Sequence, residues 1–209
     1  MALKNPKIGI LIIGILHAVG TFGTLIPATS DLTVSLTPIN LLISSLILFY
    51  HGSRSKETIL FLALSYSVGL IVEILGVQTG FPFGSYTYGI ILGPKILGAP
   101  LIIGINWFML AFATGSLSHK LSIHPILKAA LAASLMTLMD LLIEPVAIAL
   151  EYWQWEGDSI PLSNYIAWWG ISFALQLFFQ RLLPKEKTSL AMPLIISQVG
   201  YFLSVVIFY

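Results

Sequence analysis

The stretch from His124 to Leu150, HPILKAALAASLMTLMDLLIEPVAIAL, decides what kind of protein this is. It is longer and more apolar than a surface helix, yet it carries Lys128, Asp140, Glu144 and Pro145. A hydrocarbon core of about 30 Å takes roughly 20 apolar residues as a helix, so the stretch reads as a membrane span with acids inside it. An ionisable group at that depth costs about 2.5–3.5 kcal/mol on insertion scales. It needs a partner or a purpose.

Six further stretches have the same character: Ile8–Ile26, Leu32–Tyr50, Thr58–Val77, Pro100–Ser118, Ser163–Gln180 and Leu190–Tyr209. None alternates as a membrane strand would, so helices are the spanning option. The expectation is an all-α, polytopic bundle of about seven transmembrane helices, with residues 1–209 forming one membrane domain. Small residues four apart, such as Ala111 and Gly115 or Ala129 and Ala133, suit close helix packing.

Composition agrees. Of 209 residues, 57% are hydrophobic and 9% charged, against roughly a quarter charged in soluble domains. That excludes an extended water-soluble enzyme, a nucleic-acid binder and a disordered chain. The net charge of +1 offers no broad basic surface. The chain has no cysteine, so disulfides, iron–sulfur clusters and thiolate chemistry are excluded.

Charge sets the direction. With seven spans, nine basic residues fall on one side: Lys4, Lys7, Arg54, Lys56, Lys120, Lys128, Arg181, Lys185 and Lys187. Lys95 lies opposite, with Asp31, Glu151, Glu156 and Asp158. The positive-inside rule then puts the N-terminus in the cytoplasm and the C-terminus outside, in a multi-pass protein of the cell membrane. Lys4 and Lys7 before an apolar run also fit a signal peptide; the reading kept here retains span one as a packed helix.

Three acids lie within spans: Glu73, Asp140 and Glu144. At 1.5 Å per residue they sit roughly 6, 15 and 9 Å from the outer ends of their spans, and Asn106 matches Glu144 in depth. They are expected to converge on one cavity in the outer half of the membrane. Asp140 and Glu144, four apart, share a helix face, and Glu151 continues that stripe if the helix persists. Two carboxyls so close in a low dielectric repel, so one is expected to hold a proton, as general acid/base chemistry requires. Pro145 cannot donate to the Leu141 carbonyl and is expected to kink the helix. The alternative is that these acids merely fix helix register by pairing with Lys95, Asn106 or backbone.

Between spans three and four lies Gln78–Ala99, too apolar for an ordinary loop and too rich in Gly and Pro for a helix. Its aromatics fit a headgroup belt or an outer lid over the bundle mouth, with Lys95 near the acids. Tyr152, Trp153, Trp155, Tyr165, Trp168 and Trp169 crowd the same rim. That density suits a flat conjugated ligand, or rings placed to stabilise a carbocation. His51, His119 and His124 are expected to be solvated at cytoplasmic ends, and His17 faces inward. No His/acid spacing suggests a metal, and there is no nucleotide loop, no nucleophile elbow and no acid-rich diphosphate motif.

Several blocks together resemble a known family. They are Gly80-Phe-Pro-Phe-Gly-x-Tyr-x-Tyr88, Leu92-Gly-Pro-Lys-x-Leu-Gly-x-Pro-Leu101, Ile105-Asn-Trp-Phe108, Met139-Asp-Leu-Leu-x-Glu-Pro-Val-Ala147 and Glu151-Tyr-Trp-x-Trp155. They cover most of the chain from about Glu73 to Trp169. The family is that of membrane carotenoid-biosynthesis proteins, whose characterised members are carotenoid 1,2-hydratases of the bisanhydrobacterioruberin and γ-carotene hydratase type. The resemblance implies a membrane-dissolved carotenoid substrate and no cofactor, and it leaves room for association with other carotenoid enzymes. The implied reaction protonates C2 of an acyclic ψ end group and adds water at C1, giving a tertiary alcohol. Asp140 is then the acid, with Glu144 and Glu73 guiding the water or taking its proton; the roles of Asp140 and Glu144 are interchangeable on this reading. Asn106 and Lys95 assist, Trp107, Tyr152 and Trp169 stabilise the cation, and Phe81, Phe83 and Tyr86 line the substrate.

Rivals start from the same residues. A lycopene-type cyclase shares the protonation but captures the cation with an internal double bond. A proton-coupled transporter also uses mid-depth acids, and a non-catalytic carotenoid-binding subunit needs only the aromatics. A retinal protein would need a Schiff-base lysine in the last span, and Leu190–Tyr209 has none.

Overall fold

A computed structural model describes residues 5–157 and 159–209. Lys4 and Asp158, both used in the charge count above, lie outside the described residues. The chain is mostly helical, with helices in all seven predicted stretches.

Helix α1 (Pro6–Leu25) begins where Asn5 accepts a hydrogen bond from the Lys7 amide at 3.0 Å. It ends because Pro27 forces Ile26 into extended backbone. Pro27 then opens α2 (Pro27–Ser35), and α3 (Thr37–His51) follows after Leu36. The expected single span Leu32–Tyr50 is therefore corrected: it is two helices bent by 56°. The cause is Pro38, which has no N–H to continue α2 and whose ring clashes with the carbonyl four residues back.

Ser55 caps α4 (Lys56–Thr79), which Gly80 ends in the left-handed conformation at φ +72°. After the long connection come α5 (Ile102–Ser118), α6 (Pro125–Ala149), α7 (Leu162–Leu182) and α8 (Ala191–Phe208). Pro145 is accommodated inside α6. That helix stops before Glu151, which is exposed at φ +56°, so the expected continuation of the acid stripe to Glu151 does not occur.

Helix α5 is the axis of the bundle. Trp107 through Ala113 are fully buried, and α5 touches α3, α4, α6, α7 and α8. The outer helices are apolar on the outside. Along α1, Leu11, Ile15, Val19 and Phe22 are exposed while Gly9, His17 and Thr24 face inward. A face of that composition, repeated on α6 by Leu131, Leu135 and Leu138, is a lipid face. The protein is a membrane protein. Four helices, α1, α4, α6 and α8, are individually long and apolar enough to cross, and α2 with α3 make a fifth if the bent pair is one span. α5 is apolar but shorter.

Two connections leave one end of the bundle. The first carries β1 (Tyr86–Tyr88), β2 (Lys95–Ile96) and β3 (Ala99–Pro100); the second, after α6, carries β4 (Trp153–Trp155). β2 pairs with β3 as a local hairpin, whereas β1 pairs antiparallel with the distant β4. At the other end, His119 is buried and bonded to the Glu186 carbonyl oxygen at 2.9 Å and to Gln180 at 2.7 Å. Its expected solvation is thus corrected, because the segment before α8 folds over it.

Candidate active site

Three carboxyls meet beneath the β1–β4 ribbon. Glu73 comes from the last turns of α4, and Asp140 and Glu144 from successive turns of α6. All three are buried, and all line one cavity of about 30 Å³. Phe83, Tyr86, Tyr88, Ile103, Asn106 and Asn164 are among the residues that complete its wall.

The ribbon explains how so many acids are held. In the register Tyr86 faces Trp155 and Tyr88 faces Trp153, while Thr87 and Gln154 between them are exposed. Period-two alternation puts all four aromatic side chains on the inner face. Their polar tips then reach the acids. Tyr86 and Tyr88 donate to Glu73 Oε2 at 2.6 and 2.7 Å. Trp155 and Trp153 donate to Glu144 Oε2 at 2.7 and 3.0 Å. Burial, with the neighbouring Glu73 charge, pushes both phenols well above the usual tyrosine range, so they stay neutral donors.

Helices supply the rest. Trp107 of α5 donates Nε1–H to Glu73 Oε1 at 3.1 Å and stacks on Trp168 of α7, ring centroids 4.1 Å apart. Gly69, one turn before Glu73, makes the approach possible: a Cβ there would lie 2.4 Å from the Trp107 ring. Gly76 does the same beneath Phe83 and Tyr86. From the first turn of α7, the Asn164 amide donates to both Asp140 Oδ2, at 2.9 Å, and Glu144 Oε1, at 3.1 Å.

Glu73 and Glu144 thus accept three hydrogen bonds each and Asp140 one. Donors favour an ionised carboxylate over a neutral acid. Asp140 Oδ1 has no hydrogen-bond partner among the described residues, and it is the carboxyl oxygen left for a reacting atom.

The sequence-expected residues separate accordingly. Glu73, Asp140, Glu144, Asn106, Phe83 and Tyr86 line the acid pocket, and Trp107 touches it through Glu73. Lys95 does not: the β2–β3 hairpin turns it outward, where it donates to the Tyr88 carbonyl oxygen. Phe81, in the turn after α4, is 74% exposed. Trp169 stacks on Phe173 and donates to Ser134, because one residue past the inward Trp168 is about 100° round the helix. Tyr152 lines a second cavity and pairs its hydroxyl with Thr37 at 2.7 Å. Asn164 and the hydrogen-bonding roles of Tyr88, Trp153 and Trp155 were not expected; the Tyr-Thr-Tyr and Trp-Gln-Trp alternation was the signal for the latter three.

The second cavity is larger, about 250 Å³, and mostly apolar. It lies among α1, α2, α3 and α8, and shares Ile103, Asn106, Ile143 and Trp153 with the acid pocket. Among the described residues no three His, Cys, Asp or Glu are placed to hold a metal ion.

Known proteins were then compared. Bisanhydrobacterioruberin hydratase of Haloarcula japonica is 32% identical over a region covering 49% of this chain and 37% of that protein. The chain therefore matches only about a third of that relative's length. No solved structure matches. The family model described as carotenoid biosynthesis protein matches residues 36–209, which hold all three acids, both strands of the ribbon and Asn164. With five-sixths of its length inside that match, this chain belongs to the carotenoid biosynthesis protein family.

Proposed function

We propose that this protein is a carotenoid hydratase acting on the C1=C2 double bond of an acyclic ψ end group. One observation carries the reading. A polar pocket of about 30 Å³, roughly the volume of one water molecule in the liquid, shares a wall with an apolar cavity eight times its size. Water and alkene have separate compartments that meet at Asn106 and Trp153.

Asp140 transfers its proton to C2, and the C1–C2 π pair forms the new C–H bond. The tertiary cation left at C1 faces Trp153, whose ring stabilises positive charge through its face. The pocket water bonds to C1, and its proton passes to Glu144 or Glu73. Return of that proton to Asp140 through the next water restores the acid. The hydroxyl and hydrogen added sum to one water, so no oxidant or reductant takes part. The similarity to a bisanhydrobacterioruberin hydratase supports this assignment. Seven crossings, with the ribbon on the outer face of the cell membrane, belong to this proposal.

Expression in a lycopene-accumulating host, with chromatography and mass spectrometry of the pigments, tests the function. The expected product is heavier by one water, and Asp140→Asn lowers its formation about 10²–10⁴-fold, the usual contribution of a general acid. A product of unchanged mass would mean internal capture of the cation, as in a cyclase.

A further inference from the structure

The larger cavity holds none of the acids, and its shape indicates an occupant. Residues from both sides of the α2–α3 break line it, including Thr33, Leu36, Thr37 and Asn40. At its rim Val19 of α1 is 63% exposed and Ile39 of α3 is 52% exposed. Both belong to the lipid-facing surface, so the mouth opens through the side of the bundle into the hydrocarbon. Gly20 faces the bore, and a Cβ there would meet nothing closer than 3.8 Å.

Most polar wall groups are bonded within the protein; Gln198 Oε1, on the same wall, has no hydrogen-bond partner among the described residues. His17 Nδ1 donates to the Ile13 carbonyl at 2.9 Å, and Asn40 Oδ1 accepts from Ser44 at 3.0 Å. Thr37 pairs with Tyr152, and Thr24 with Tyr201. What remains for an occupant is largely hydrocarbon surface. A volume of about 250 Å³ falls just below the roughly 300–1,000 Å³ of sites that enclose a whole ligand. It suits one end of a long molecule.

We propose that this cavity binds the linear polyene end-first through the side of the bundle, its end group at Asn106 and Trp153 and its remaining length in the bilayer between α1 and α3. The proposal rests on the carotenoid reading above, and it makes the far end of the substrate invisible to the protein.

The test is pigment retention. Wild type, Asp140→Asn, and Asp140→Asn combined with Gly20→Phe, Ile39→Trp or Gly14→Phe are purified in mild detergent from lycopene-containing membranes. Bound polyene per protein is read by absorbance, with monodisperse elution confirming the fold. Gly14 is the control, since it is exposed on the same helix, lies off the cavity and has open space around its Cβ. Gly20→Phe and Ile39→Trp are expected to lower retention at least tenfold, and Gly14→Phe to leave it unchanged. Ile39→Trp, at an exposed position, keeps the test decisive if Gly20→Phe does not fold. Equal retention in all three, or none in the parent, overturns the proposal. Retention as expected without any hydrated product would leave the cavity standing and remove the hydratase reading. Hydration undiminished by Gly20→Phe alone, with Asp140 retained, would do the reverse.

Discussion

A single amide holds the two acids of α6 together. Asn164 donates to both Asp140 and Glu144, so loss of this one side chain takes a donor from each carboxyl. Asn164→Leu should cost about 1–3 kcal/mol, the penalty of leaving buried acceptors unpaired, read as a lower melting temperature in detergent. On the hydratase reading, Asn164→Asp should abolish hydration, because a fourth carboxyl in the pocket would replace the donor with a repelling charge. The three acids were legible in the sequence because a charge inside an apolar run is conspicuous. Asn164 was not. It stands in the first turn of α7, where polar residues are ordinary, and nothing local ties it to residues 24 and 20 positions earlier. Lys95 misled for the converse reason: it is a conspicuous charge in the right connection, and the hairpin geometry that turns it away is tertiary.

At the scale of elements, the β1–β4 ribbon joins two connections that are far apart in the chain and becomes the roof of the acid pocket. Its phenols are buried neutral, and this sets a pH limit. Their folded affinity for the proton is raised above that of the unfolded chain, so the stabilisation is complete below about pH 10. It declines as pH rises beyond that, since the unfolded state releases protons first. Melting temperature should therefore fall above about pH 10, with tyrosinate absorbance from the ribbon appearing only with unfolding. Phe replacing both Tyr86 and Tyr88 should flatten that decline. Beneath the ribbon, α4 and α5 meet at Gly69. Gly69→Ala should cost about 1–3 kcal/mol as an overpacking change and shift the tryptophan emission, because Trp107 must leave both Gly69 and Glu73. The aromatic alternation was readable as a pattern, but strand pairing across 65 residues has no local signature. Pro38 is equally visible in the sequence, yet hydropathy is continuous across it, so Leu32–Tyr50 reads as one span although a proline inside an apolar run breaks the helix.

For the whole molecule, the seven apolar stretches were correctly read as helical, because backbone groups in hydrocarbon have no other partners. Their ability to cross was less uniform than hydropathy suggested. α7 is 21 residues long but carries Asn164, Gln176, Gln180 and Arg181, and it is not among the four helices that qualify singly. Topology can be tested directly, since the chain has no cysteine of its own. On the seven-crossing arrangement, Glu156→Cys should react with an impermeant maleimide in intact cells and Lys185→Cys only after permeabilisation. Labelling of both from outside would remove that arrangement.

The donors that surround Glu73 and Glu144 are phenol, indole and amide groups, every one of them neutral. Mobile ions weaken attractions between exposed opposite charges, and among the described residues no attraction of that kind holds the acids in place. The hydrogen-bond geometry that positions them should consequently be insensitive to ionic strength.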